Sequence, residues 1–201
     1  MIENTSKKPH HHGDLHNALV QAGIALLAEG GTAALTLRKC AARAGVSHAA
    51  PAHHFHGLSG LKSEIAQEGL RMFRGYMLDA AQSGPQTPRA RLKAICRGYL
   101  RFAVENRALF DLVFGFDTVV PMPTDKYDYN SMAYEVLRDA CAPFVPAGTD
   151  PVIIESQVWS LIHGYSTLYL SGRFRTELDD RTENFDQVMT LLDRIGTDPA
   201  P

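Results

Sequence analysis

The sequence predicts an all-α chain, a head of three helices followed by a larger helical body. Three observations carry that expectation. Apolar residues recur every three or four positions in one segment after another, while no period-two alternation of useful length occurs anywhere. The segments are separated by helix breakers and caps: Gly30-Gly31, Gly45, Ser83-Gly84-Pro85, Pro88, Asp150-Pro151 and Gly172. At 201 residues, 45% hydrophobic and 21% charged, the chain buries a substantial core without disulfides or structural metal.

The elements follow in order. A first helix has Asp14 as its cap, carries Leu15, Ala18, Leu19, Ala22 and Leu26 on one face, and ends at Gly30-Gly31. Thr36 then caps a short helix with Leu37, Cys40, Ala41 and Ala44 at helical spacing, closed by Gly45. Val46 packs under the turn, and Ser47 caps a second short helix that turns His48, Ala49, Ala52 and His53 outward. Counted from Ser47, Pro51 is the fourth helical residue. There it removes the first intrahelical hydrogen bond and crowds the Ser47 carbonyl, so the first turn is expected to be irregular. Ser59 caps a long helix to about Ala81, with Leu61, Ile65, Phe73 and Met77 buried. Thr87 and Pro88 open a helix carrying Leu92, Ile95, Cys96, Tyr99 and Phe102, which stops near Asn106, and Arg107 to Phe114 form a short one. Gly115 to Asp125 holds Pro121 and Pro123 and reads as a loop of the kind that borders ligand sites. Helices are then expected from Tyr129 to Ala142, from Pro151 to Ser171 with Gly172 as the stop, and from Thr182 with Phe185, Val188, Met189, Leu192 and Ile195 in phase.

The stretch from Leu35 to Phe55 carries most of the functional information. Two short helices joined through a glycine turn, near the N-terminus and behind one longer helix, form the arrangement of a helix-turn-helix. Small side chains let the second helix approach the walls of a DNA groove, and serine and histidine can donate to phosphates or base edges. The charge is divided in the same sense. Residues 1–75 hold eight Lys/Arg against five Asp/Glu, the remainder twelve against seventeen, and eight of nine histidines lie in the first 56 residues. A basic head on an acidic body suits one DNA-facing end, with an affinity that histidine protonation can tune.

Other chemistries find little in the sequence. His12 and His16 stand four apart and His53, His54 and His56 cluster, yet no carboxylate or thiolate accompanies them at ligand spacing, and no metal site is assigned. Cys40, Cys96 and Cys141 are odd in number and widely spaced, as free buried thiols would be. Glycine-rich phosphate loops, nucleophile elbows and paired carboxylate motifs are missing, so the expectation is no enzyme, no catalytic residue and no cofactor. No apolar run approaches membrane-spanning length and no signal peptide is expected before the first helix, which together predict a cytoplasmic chain without membrane attachment.

The first 75 or so residues resemble the DNA-binding domain of the TetR/AcrR family of transcriptional regulators. The residues that carry the likeness are Gly30-Gly31, Leu35-Thr36-Leu37, Ala41, Ala44-Gly45-Val46-Ser47 and His54-Phe55. His11-His12-Gly13-Asp14-Leu15 and Ser47-His48-Ala49-Ala50-Pro51 resemble the branch named for a C-terminal Trp-His-Gly motif, whose counterpart here is Trp159, His163 and Gly164. Two positions depart from the family. Ala52 stands where a tyrosine usually touches a DNA phosphate, and Leu58 where a lysine is common. Each removes a backbone contact, leaving Lys62, His53 and the N-terminal Lys7 and Lys8 to supply them.

The resemblance implies a division into a helix-turn-helix domain over residues 1–57, a connecting helix over 58–82 and a ligand-binding and dimerisation domain over 83–201. The candidate DNA-contacting residues are Thr36, Arg38, Ser47, His48, Ala49, Ala52, His53, His54 and Lys62. An aromatic cavity in the body would draw on Tyr99, Phe102, Phe110, Phe114, Trp159, His163 and Ser166, with Phe116 and Tyr165 nearby; a plain apolar core is the competing reading of these residues. Leu161, Gly164, Leu168 and Gly172 make a stripe with small residues, which permits close helix approach. With Phe185, Met189 and Leu192 of the last helix, this stripe is where the family likeness puts the homodimer contact. The partners implied are a double-stranded DNA operator, a small-molecule effector and a second copy of the chain. The function implied is a ligand-responsive repressor, the alternative being a small-molecule-binding dimer whose DNA binding is degraded or depends on a partner.

Overall fold

The computed structural model describes residues 12–115, 129–174 and 181–196. Among them are nine α-helices, two 3-10 segments and no strand. The helices are α1 (His12–Ala34), α2 (Leu37–Arg43), α3 (Ala50–His54), α4 (Gly57–Gln82), α5 (Pro88–Glu105), α6 (Arg107–Phe114), α7 (Tyr129–Cys141), α8 (Pro151–Leu170) and α9 (Arg181–Met189). They divide into two compact units, residues 12–68 with 111–115, and residues 69–110 with 129–174 and 181–196. The expected loop beyond Gly115, Phe116, Lys7, Lys8 and the pair His10-His11 lie outside the described residues.

In the first unit α1 packs on α2 and runs through the expected stop, broken at Gly30 and at Gly31, whose φ is +64°. Asp14 falls inside α1 and not at its cap. Leu19, Leu27, Leu35, Cys40, Ala41, Phe55, Leu61 and Ile65 are all 5% exposed or less and form the core of this unit. Thr36 caps α2 as expected, its hydroxyl oxygen accepting from the Lys39 N–H at 3.2 Å. At the other end of α2, Gly45 has φ +69°, a conformation that only a residue without a Cβ adopts freely. The Gly45 N–H then donates to the Ala42 carbonyl and the Val46 N–H to the Ala41 carbonyl, satisfying the last orphan acceptors and turning the chain.

The cap of the next helix differs from expectation. Ala49 occupies it, with no side-chain hydrogen bond, and α3 is five residues long. The Ser47 carbonyl instead accepts from Ala50 N, and the Ala49 carbonyl from Ala52 N, both in tight i to i+3 turns. The reason is Pro51. Placed in the first helical turn, its missing N–H is needed by no carbonyl; placed four residues past a Ser47 cap, it would have broken the helix. Likewise α4 begins at Gly57, so Ser59 lies within its first turn and does not cap it.

The second unit is built on α5. Thr87 caps it, accepting from Ala90 N at 3.4 Å with Pro88 as its first residue, and Asn106 ends it. The α5 helix packs against α7 and α8, burying Leu92, Ile95, Cys96, Tyr99 and Phe102. Phe73 of α4 meets Tyr99 edge-on at 4.7 Å and Phe102 at 5.2 Å. Asp150 caps α8 through Val152 N, and the turn at Gly172 closes it as predicted. The final apolar run does not stay α-helical. It tightens after Met189 into a 3-10 segment, Thr190–Arg194. The Arg89 guanidinium stacks on Phe144 at 3.8 Å and donates to the carbonyls of Leu192 and Ile195, giving this terminal turn partners it lacks on its own.

Candidate functional site

Two surfaces deserve description, one in each unit. On the first unit Thr36, Arg38, Ser47, His48, Ala49, Ala52 and His53 are all exposed. The exposed row crosses the start of α2, the turn before α3 and the outer side of α3, so His48 and Ala49 sit in the turn and not on the helix. Lys62 is half-buried on α4. His54 is half-buried and turns inward, its ring 6.2 Å from His16 and 6.3 Å from Phe55. His16 itself lies 5.0 Å from Phe55 and approaches Glu64 of α4 at 3.9 Å. The histidines therefore split, with His48, His53 and His56 outside and His16 and His54 filling the joint between α1, α3 and α4. No group of three potential metal ligands comes together among the described residues.

In the second unit one face of α8 carries a row of polar and aromatic groups spaced by helical turns: Glu155, Trp159, His163 and Ser166. The Tyr99 hydroxyl lies 2.8 Å from His163 Nδ1, and the Phe110 ring stacks on His163 at 5.7 Å. Burial pushes the Tyr99 phenol well up, partly opposed by a hydrogen bond from Trp159, and burial pulls the His163 imidazole down. Tyr99 thus keeps its proton and faces a neutral imidazole, the direction of the bond between them following the tautomer of His163. Ser166, one turn further on, is completely buried, and its Oγ has no hydrogen-bond partner among the described residues.

Tyr99, Phe102, Phe110, Trp159, His163 and Ser166 all belong to this unit, although Trp159 is 40% exposed and reaches the surface. Phe114 is half-buried and belongs to the first unit. Sequence reasoning missed Glu155 and Tyr134. Glu155 is 3% exposed and accepts a short hydrogen bond from the Tyr134 hydroxyl, while Tyr134 also lies 6.0 Å from Trp159. That bond to a carboxylate raises the Tyr134 phenol to about 12. The signal was present in the sequence, since Glu155 extends the α8 stripe by one turn.

The expected dimerisation residues separate sharply. Leu168 is 43% exposed, Leu161 and Gly164 are half-buried, and a side chain on Gly164 would meet nothing within 4 Å. Phe185, Met189 and Leu192 are at most 3% exposed within a single chain. These three point into the core of their own chain, Phe185 against Tyr165 at 5.3 Å, and the apolar period of α9 marked its inner face. Leu191, 53% exposed, is the apolar residue that this end of the chain presents outward.

A glycine-broken helix pair with a bare outer face, followed by a separate helical body, defines the class: an all-α helix-turn-helix protein. Comparison with known proteins then places it. The family model described as "Tetracyclin repressor-like, C-terminal domain" matches residues 92–192. A protein of unknown function from Rhodococcus sp. RHA1 has a similar structure, with 26% identity and TM-score 0.74, covering 94% of this chain and 97% of its own. A TetR family transcription regulator from Marinobacter aquaeolei VT8 is 18% identical at TM-score 0.65, covering 89% and 93%. The regulator FadR from Bacillus subtilis, solved with stearoyl-CoA, is 13% identical at TM-score 0.63, covering 88% and 97%. No curated protein matches the chain. The chain belongs to the TetR family of transcription regulators and is not an enzyme.

Proposed function

We propose that this protein is a ligand-responsive repressor, a homodimer that leaves its DNA operator when a small molecule binds the body. The observation that carries the reading is the polar row inside the second unit. A buried hydroxyl without a partner costs stability, and Ser166, one turn along α8 from His163, keeps one with no partner among the described residues. A ligand with a polar group would satisfy it. In this reading residues 1–57 are the DNA-binding head, 58–82 the connecting helix and 83–201 the effector and dimer domain of a cytoplasmic regulator in the Trp-His-Gly branch.

On the head, the DNA contacts are assigned to the exposed row of Thr36, Arg38, Ser47, His48, Ala49, Ala52 and His53, with His54 and Lys62 at its edge. On the body, Tyr99, Phe102, Phe110, Trp159, His163 and Ser166 receive the effector, with Glu155 and Tyr134 added. Leu161, Gly164 and Leu168 form the dimer contact, joined by Ile153 and Leu191, which are 50% and 53% exposed. Pairing two heads multiplies the affinity of one weak head, and an effector shifts the balance by its preference for the DNA-incompetent spacing.

Gel shift with the gene's own upstream region, titrated with salt, tests this. A specific complex weakened by His53→Ala or Lys62→Ala is expected, and no complex at low salt refutes it. Native mass spectrometry of the purified protein should show a dimer carrying a small molecule.

The five-residue α3 and its Ala52 favour a second reading, a ligand-binding dimer with little DNA affinity of its own. Under that reading Ala52→Tyr with Leu58→Lys creates binding where there was none. Strong binding by the unaltered chain removes it.

A further inference from the structure

Away from the α8 row, the second unit holds a groove of about 480 Å³ between the C-terminal end of α4, the turn at residues 83–85 and α5 from Ala90 to Arg101. Its floor is made of small residues, among them Ala94 and Gly98. Its rim is cationic: Lys93, Arg97 and Arg101 recur every four residues on one face of α5, spanning about 12 Å along the helix. No carboxylate is among the described residues that line it. The carbonyl of Gly84 at the rim accepts from Gln86 Nε2 at 2.7 Å, which ties the turn to the start of α5.

Among the described residues each rim cation meets a carboxylate reaching in from outside the groove. Lys93 meets Asp193 at 2.7 Å, Arg97 meets Asp186 at 2.7 Å, and Arg101 lies 3.9 Å from Asp79. Asp186 and Asp193 belong to α9 and the 3-10 turn that follows it. Exposed pairs of this kind are weak, whereas a phosphate engages an arginine fork through two parallel charge-assisted bonds.

We propose that this groove binds a small phosphorylated organic molecule. Its body lies on the alanine and glycine floor, and its phosphates replace Asp186 and Asp193 on Arg97 and Lys93. Binding therefore unfastens α9 from α5 at Asp186 and the following 3-10 turn at Asp193, and leaves the Arg89 clamp in place. The groove's size and concavity suit a small ligand and not a flat polymer surface. The site is separate from the Tyr99–His163 row, and its occupancy does not depend on that row sensing an effector.

Isothermal titration of the full chain with ATP as the probe, at low salt and without metal, tests this. Saturable binding is expected, with inorganic phosphate much weaker because it lacks a body for the floor. Arg97→Gln with Arg101→Gln, both on exposed side chains, should weaken ATP by about tenfold or more. Asp186→Asn removes a competitor and should tighten it by about threefold. Absence of saturable heat with ATP, or an affinity indifferent to the double arginine variant, overturns the proposal. A non-specific DNA duplex that displaces ATP and loses affinity in the same variant also overturns it, by assigning the groove to the DNA backbone.

Discussion

Gly98 sits in the middle of α5, where helix propensity and packing give opposite answers. Alanine is favoured over glycine in a helix interior by about 1 kcal/mol, so propensity alone makes Gly98→Ala stabilising. The surroundings oppose it. A Cβ at this position would lie 2.4 Å from the Tyr76 carbonyl oxygen, 2.8 Å from Met77 Cα and 2.9 Å from the Tyr76 carbonyl carbon. Ordinary contact is about 3.5 Å, so α4 and α5 must part by about 1 Å. The atoms in the way are backbone, and no rotamer change relieves them. Overpacking of this kind costs about 1–3 kcal/mol, which exceeds the propensity gain, and the expected net loss is about 1 kcal/mol or slightly more. Gly75 on α4 provides the matched control, since a Cβ there meets nothing within 4 Å. Gly75→Ala should stabilise by about 0.5–1 kcal/mol. Urea unfolding followed by far-ultraviolet circular dichroism, at one protein concentration, reads both. The two variants should differ by about 2 kcal/mol in opposite directions with unchanged m-values. If Gly98→Ala is as stable as Gly75→Ala, the close approach of α4 and α5 is wrong.

Three further outcomes are expected. Arg89→Ala strands the Ile195 carbonyl and leaves the Leu192 carbonyl with only the long bond from Ile195 N at 3.3 Å, and should cost about 1–3 kcal/mol, with amide exchange rising first in the 3-10 turn. The folded state lowers the His163 pKa below the usual 6.5, so the unfolded chain binds more protons. Stability from this group is full above pH 6.5 and is lost as the pH falls; unfolding midpoints should decline less steeply in acid for His163→Gln. At the other end of the scale, Tyr134, Cys96 and Cys141 are each raised to about 12 from 10, 9 and 9, by the Glu155 hydrogen bond for the tyrosine and by burial for the thiols. Their contribution is present below pH 9 and lost between about pH 9 and 12, and Tyr134→Phe should flatten the part of that loss above pH 10.

Much of the fold was legible because its signals are local. Thr36, Thr87-Pro88 and Asp150-Pro151 stop or start helices through bonds spanning two or three residues, and those bonds form as anticipated. Ser47 was misleading for the same reason: several residues can cap one helix, and the choice fell to Pro51, whose ring fixes where the first turn can begin. The period of α9 correctly announced a buried face without saying what buries it. Phe185, Met189 and Leu192 are covered by their own chain, which a periodicity cannot distinguish from cover by a second copy.

The sequence by itself determined the all-α class, the glycine-broken pair from Leu35 to Phe55, the exposure of His48 and His53, and the family. Each of these rests on neighbours within a few turns of the chain. Only the tertiary structure joined Tyr99 to His163 and Tyr134 to Glu155, left the Ser166 hydroxyl without a partner among the described residues, and turned His16 and His54 inward while their neighbours faced out. Those outcomes depend on which helix faces which at separations of 21 to 64 residues, and packing decides them where local propensity is silent.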